Sequence, residues 1–214
     1  MLPKDYPAWQ TVYGYLRRWT RAGLWEKINA ALVKQARVHA GREPEPSAAI
    51  MDSQSVKTSE GGEARGVDVH KQTPGRKRHI WVDVLGLLLV VMAHSAGMPD
   101  STGGKMLLQR WFDRVKHRVY NRWCHRKLIW ADGGYKDIGR PYVKKNFGRQ
   151  LEVARRPGGL KGFAALPHRW VVERTFGWLG RHRRLARDYE HTVLMSETMT
   201  YLASIRRMLK MAAN

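Results

Sequence analysis

Two short apolar runs constrain this chain most: Ala48-Ala49-Ile50-Met51-Asp52 and Leu128-Ile129-Trp130-Ala131-Asp132. Each is a brief, near-continuous hydrophobic stretch closed by an aspartate, the pattern of a strand buried on both faces. Gly133-Gly134 follows the second run and enforces a turn. Two such strands lying parallel would deliver both carboxylates to one sheet edge, where open α/β sheets place their ligands. The 80 residues between them do not matter once the strands pair.

The rest of the chain reads as alternating elements. Trp9, Val12, Leu16 and Trp19 recur at helical spacing, Gly23 interrupts, and Leu24, Ile28, Ala31 and Leu32 resume it. This is either a helix-turn-helix or, as the reading favours, an amphipathic helical pair packed on the main domain. Residues 40–47 form a Pro- and Gly-containing linker, so residues 1–47 are expected to be a helical segment and linker, and 48–214 the main domain. Residues 60–75 read as an exposed loop. Arg78 to Val84 and Leu87 to Ala93 read as strands joined at Leu85-Gly86. Asp100-Ser101 is expected to cap a helix running to about Lys116, with Met106, Leu107, Trp111 and Val115 inward. A helix at Pro141 to Asn146, a strand at Leu151 to Ala154, a long helix from His168 to Leu185 and a last helix from Ser196 to Met211 complete the pattern. The expectation is an α/β domain with a mixed sheet flanked by helices, in the order of the ribonuclease H-like fold: an antiparallel meander, then parallel strands joined by helices.

Glu173 supplies a third acid. At 100° per residue Val172, Phe176 and Leu179 form a stripe facing the sheet, and Arg169, Glu173, Gly177, Gly180 and Arg184 form the next. Glu173 therefore borders the buried face and can reach a metal held at the strand ends. Two carboxylates 4 Å apart repel by about 4 kcal/mol at an effective dielectric of 20. A converging trio therefore implies a divalent cation or neighbouring arginines. The alternative is three ordinary acids: a strand-end cap, a turn residue and an arginine partner. Among the other acids, Asp83 is expected on an exposed strand face, and Asp68, Asp188 and Glu190 in solvent. His79 and His94 have no second His or Cys at ligand spacing, which argues against zinc.

Charge names the partner. Lys and Arg number 39 against 18 Asp and Glu, a net charge of +21, which points to a polyanion and to nucleic acid over a membrane surface. Two clusters stand out. One is Lys71, Arg76, Lys77, Arg78 and His79, with Lys57 nearby. The other is Arg169, Arg174, Arg181, Arg183, Arg184 and Arg187 around Glu173, with Trp178 and Tyr189 among them. Arginine and lysine on phosphates with bases stacked on aromatics is the expected use. A single cysteine, Cys124, excludes an internal disulfide. No apolar run is long enough to span a bilayer, and a cytoplasmic, nucleoid-associated location is expected.

The segments MDSQSVKTSEGGEARGVD, PGRKRHIWVDVLGLLLVV, LIWADGGY, LEVARRPGG and LPHRWVVERTFGWLGRHRRLARDYE occur in this order. Through them the chain resembles insertion-sequence DDE transposases, specifically the bacterial fifth insertion-sequence family, from Leu2 to Ala212. The resemblance implies a ribonuclease H-like catalytic domain whose acidic triad is Asp52, Asp132 and Glu173. It implies two Mg²⁺ ions, with Mn²⁺ able to substitute, strand cleavage at element ends, and strand transfer into target DNA. It also implies a homodimer or higher oligomer on DNA. Arg169 matches the arginine four residues before the glutamate of the wider signature. Two positions depart from it: Leu166 stands where a tyrosine is usual, and Gly180, followed by Arg181, where a lysine is usual. Similar proteins carry a further N-terminal helical segment, so a truncated front is expected. The competing readings are an inactive DNA-binding remnant and a structure-selective nuclease on the same fold.

Overall fold

A computed structural model describes residues 3, 5–59, 61–116, 128–154 and 169–213. Among these, the strands are β1 (Ala48–Lys57), β2 (Gly66–Asp68), β3 (Thr73–Val82), β4 (Leu88–Ser95), β5 (Leu128–Ala131) and β6 (Gln150–Val153). The helices are α1 (Trp9–Arg21), α2 (Leu24–His39), α3 (Asp100–Lys116), α4 (Arg140–Phe147), α5 (Arg169–Gly180), α6 (Arg183–Ala186) and α7 (Val193–Ala212), with a 3-10 turn at Gly133–Ile138. The sheet runs β4-β3-β1-β5-β6, with the short β2 also pairing β3. β3 is antiparallel to both β1 and β4, whereas β1–β5 and β5–β6 are parallel. Three meandering strands followed by two parallel ones, with helices on both faces, make this a ribonuclease H-like sheet.

Strand alternation sorts the core into two layers. Ala49, Met51, Trp81, Ile129 and Ala131 face α3, α4 and the 3-10 turn, where Leu107, Tyr135, Val143 and Phe147 meet them. Ile50, Ile80, Val82 and Val91 face α5 and α7, against Val172, Phe176, Leu179 and Tyr201. The stripe expected on α5 is thus the buried one. Gly86 adopts φ +80° in the β3–β4 turn, as the hairpin requires.

Several elements depart from the sequence reading. β1 does not stop at Asp52: residues 53–57 pair onward with 75–79 of β3. Their polar composition hid a strand that its antiparallel partner supports. Likewise, β2 and the start of β3 lie inside the expected loop. The long helix breaks after Gly180, where Arg181 N and His182 N close turns on Trp178 O and Leu179 O, and α6 restarts at Arg183. Met106, expected inward, is exposed, while Leu107 fills the core as expected and is joined there by Leu108. The side chain of Val115, along with His168 and Leu166, lies outside the described residues.

The N-terminal helices divide in role. α2 packs on α7 and β4, and Arg37 pairs with the fully buried Asp83, whose other oxygen accepts from Leu85 N and Leu87 N at 2.9 Å. Asp83 is therefore not on an exposed face: it closes the hairpin turn and ties α2 to it. α1 touches its neighbours mainly through its C-terminal end, with Thr20 buried. Its apolar residues Trp9, Val12 and Trp19 are exposed, and Trp19 rests edge-on against Trp25.

Candidate active site

The parallel register of β1 and β5 creates the site. Ala48, Ala49 and Ile50 lie opposite Leu128, Ile129 and Trp130. Asp52, on β1, and Asp132, the first residue after β5, each come two residues after the Ile50–Trp130 pair, so they emerge at the same end of adjacent parallel strands, where neighbouring backbones run ~5 Å apart. Both share the parity of Ile50 and Trp130, the face covered by α5. Glu173 lies on that helix.

Each carboxylate has a defined partner. Asp52 is 9% exposed, and its Oδ1 accepts from Ser53 N at 2.7 Å. Burial, reinforced by the charge of Asp132, pushes its pKa up to about 7. Asp132 Oδ1 accepts from Gly134 N at 2.8 Å, capping the 3-10 turn. Its Oδ2 is 3.6 Å from Arg169 Nη2, and Glu173 Oε1 is 3.3 Å from Arg169 Nε. One guanidinium thus spans the second aspartate and the glutamate, and Lys71 adds positive potential at Asp52.

The donor set suits a divalent cation. Hard oxygen ligands are what Mg²⁺ takes, and it commonly uses one or two carboxylates with water and substrate phosphate. Among the described residues no three His, Cys, Asp or Glu side chains are grouped tightly enough to hold an ion by themselves. Asp52 and Asp132 are the pair that would hold one, since Asp132 is near enough to add, after burial, to the upward shift of the Asp52 pKa. Glu173 is engaged by Arg169.

The basic residues read as one DNA surface separate into two groups. Lys57 is exposed at the end of β1 and Lys71 in the turn between β2 and β3, Arg181 and Arg183 are exposed beyond α5, and Arg169 is at the site. Arg184 is exposed but paired with Glu190 at 2.6 Å, and Arg174 is stacked between Trp170 and Trp178, each ring 4.5 Å away. Arg76, Lys77 and Arg78 must be removed from the DNA surface. They lie inside β3 and are 0%, 5% and 1% exposed. Arg76 donates to Glu63 O, Glu190 O and His191 O, and Arg78 to Leu185 O. Between them lies Asp188, 3.4 Å from Arg76 Nη1 and 4.0 Å from Arg78 Nη2.

The acids assigned to solvent are also buried. Asp188 is paired as above, Glu190 holds Arg184, and Asp68 accepts from Ser55 Oγ and from the main chain of His70 and Lys71. Burial alone would raise the Asp68 pKa, but the Ser55 and Lys71 hydrogen bonds and the Lys77 charge hold it at about 2. A folded pKa below the ordinary 3.8 stabilises the fold above pH 4 and loses that contribution as pH falls toward 2. Asp68→Asn should therefore cost about 2 kcal/mol at pH 7 and little at pH 2, measured as the difference in urea midpoints.

His79 and His94, dismissed as metal ligands on spacing, are brought together by β3–β4 pairing, with Nδ1 of His79 2.7 Å from Nε2 of His94. Burial, then the neighbouring ring, drives His79 down to about 3. The pair is neutral packing beneath Gly103 of α3. Asp100 was read as a helix cap. Its carboxylate instead accepts from Ser53 Oγ and pairs with Lys77, contacts that no local spacing announces.

With fold and site in view, the chain can be placed. Residues 43–205 match the family described as Transposase DDE domain, most of the chain, and the protein belongs to that family. Transposases of this kind use divalent metal ions. A solved structure titled "Crystal structure of the Mos1 mariner paired end complex with Mn" is similar at 11% identity with a TM-score of 0.36. The alignment covers 86% of this chain but only 59% of that one. No curated protein matches significantly.

Proposed function

We propose that this protein is a DNA transposase of the bacterial fifth insertion-sequence family, cutting element ends and joining them to target DNA. Residues 48–214 are its catalytic domain, with residues 1–47 as an appended helical segment. The observation that carries this reading is the placement of Asp52 and Asp132 at the same end of the parallel β1 and β5, with Arg169 bridging Asp132 to Glu173.

Asp52 and Asp132 would hold divalent ions, Mg²⁺ with Mn²⁺ able to substitute. Such ions, when bound, activate the attacking oxygen and neutralise the leaving one in an in-line displacement. The chain's own residues prepare the site. Ser53 N and Gly134 N fix one oxygen each of the two aspartates, and the second oxygen of Asp132 faces Arg169. Glu173 stands exposed on the outer stripe of α5, where it can accept a proton from the attacking group or complete the ligand set. Arg169 neutralises Asp132 and Glu173 in the absence of substrate, and a phosphate arriving between them competes for its guanidinium. Lys57, Lys71, Arg181 and Arg183 supply exposed charge for the backbone on either side. A dimer holding two ends completes the proposal. No helix among the described residues is long and apolar enough to cross a membrane, and a nucleoid location follows from the DNA partner.

The test is incubation of purified protein with element-end DNA and Mg²⁺. Nicking that requires metal and disappears in Asp132→Asn supports the transposase. Binding without nicking supports an inactive DNA-binding remnant, and cleavage of any branched DNA regardless of end sequence supports a nuclease. Binding itself should weaken with salt, log affinity falling with slope about −0.9 per phosphate neutralised. A flat salt profile would exclude the DNA-backbone contact.

A further inference from the structure

Behind the Asp52–Asp132 pair, on the α3 side of the sheet, lies a fourth carboxylate. Asp100, the first residue of α3, is partly exposed. Its Oδ1 accepts from Ser53 Oγ at 2.8 Å and lies 3.0 Å from Lys77 Nζ. Lys77 is 5% exposed, and it also donates to Met98 O at 3.1 Å and approaches Asp68 at 3.5 Å. The ammonium is thus fixed from three sides, and it fixes Asp100.

Ser53 links this cluster to the site. The residue that gives its hydroxyl to Asp100 gives its main-chain N–H to Asp52 Oδ1 at 2.7 Å. Restraining the side chain of a strand residue restrains the peptide that carries that N–H. The other oxygen of Asp100 lies toward Gly134, where an added Cβ would sit 3.4 Å from Asp100 Oδ2 and 3.1 Å from Asp132 Oδ1.

We propose that Asp100 is a positioning residue for the metal-binding Asp52: it anchors Ser53, whose main chain grips Asp52. The inference rests on the metal-dependent reading above. Groups that hydrogen-bond metal ligands from behind contribute ~10–100-fold to metal affinity, because they preset the ligand geometry. Lys77, Asp100, Ser53 and Asp52 form such a chain, drawn from two strands, β3 and β1, and the first residue of α3.

The experiment is calorimetric titration of the intact protein with Mn²⁺, without DNA, on variants confirmed as folded by their urea transitions. Asp100→Ala and Ser53→Ala should each weaken Mn²⁺ binding about tenfold. The double variant should be no weaker than the worse single one, because both break the same link. Asp100→Asn keeps an acceptor for Ser53 and should stay near wild type. Should Asp100→Ala not fold, Ser53→Ala and Asp100→Asn carry the comparison. Unchanged affinity in Ser53→Ala and Asp100→Ala, with affinity lost in Asp132→Asn, overturns the role of Asp100 and leaves the metal reading intact. Asp100→Asn as weak as Asp100→Ala assigns the effect to charge and overturns positioning. Unchanged affinity even in Asp132→Asn overturns both.

Discussion

Asp188→Ala is expected to destabilise this protein by about 3–5 kcal/mol, the penalty for leaving buried cations without their carboxylate. Asp188 is fully buried, and Arg76 and Arg78 beside it are 0% and 1% exposed. Its Oδ2 also accepts from Ser196 Oγ at 2.6 Å, and its Oδ1 from Glu190 N at 3.1 Å. The main chain of the same residue extends the edge of β1, with Asp188 N donating to Lys57 O at 2.9 Å and Ser59 N to Asp188 O at 3.0 Å. One residue thus joins the α6–α7 connection to the sheet by side chain and by backbone. Typical domains are stable by only ~5–15 kcal/mol, so the variant should lose a large share of its cooperative transition. The control is Lys34→Ala, which breaks a pair with Glu45 whose side chains are 50% and 32% exposed and should cost no more than about 1 kcal/mol. Urea denaturation of the two variants side by side checks the claim, and equal shifts would mean that the Arg76–Asp188–Arg78 cluster is open to water.

Asp52→Asn should stabilise the metal-free protein at pH 8 while abolishing strand cleavage. The sign follows from the raised pKa. A carboxyl that titrates near 7 in the fold and near 3.8 in the unfolded chain binds its proton more tightly when folded, so raising the pH through that interval destabilises the native state. Removing the charge should recover as much as about 4 kcal/mol at pH 8, a gain that shrinks between pH 7 and 4 and vanishes below. Divalent metal should raise the melting temperature of the wild type at pH 8 and leave the variant unmoved. Thermal melts over pH 4–8, with and without Mg²⁺, test this. Parallel pH profiles for the two proteins would contradict the burial of an ionised Asp52. Stability gained where activity is lost is the expected signature of a site held ready for a cation.

Much of this architecture can be read along the chain. The apolar runs before Asp52 and Asp132, the glycines after Asp132 and the Val172–Phe176–Leu179 stripe are local periodicities. The elements they imply lie where they should. Placing Glu173 on the neighbouring stripe required only helical geometry. The errors have one origin. The Arg76-Lys77-Arg78 run looks the same in sequence whether it faces phosphate or the core, and its partners range from Asp68, close by in sequence, to His191, 115 residues away. Asp68, Asp83 and Asp188 were misplaced for the same reason. Polar residues 53–57 were missed as strand because only pairing with β3 makes them one.

By itself, then, the amino-acid order determined where the two aspartate-bearing strands begin and which stripe of α5 is apolar, since backbone periodicity depends on neighbours a few positions apart. Only the tertiary structure decided which charges face solvent and that Asp100 stands behind Asp52. A charge's environment is set by distant groups that desolvate or neutralise it, and folding alone brings those groups together.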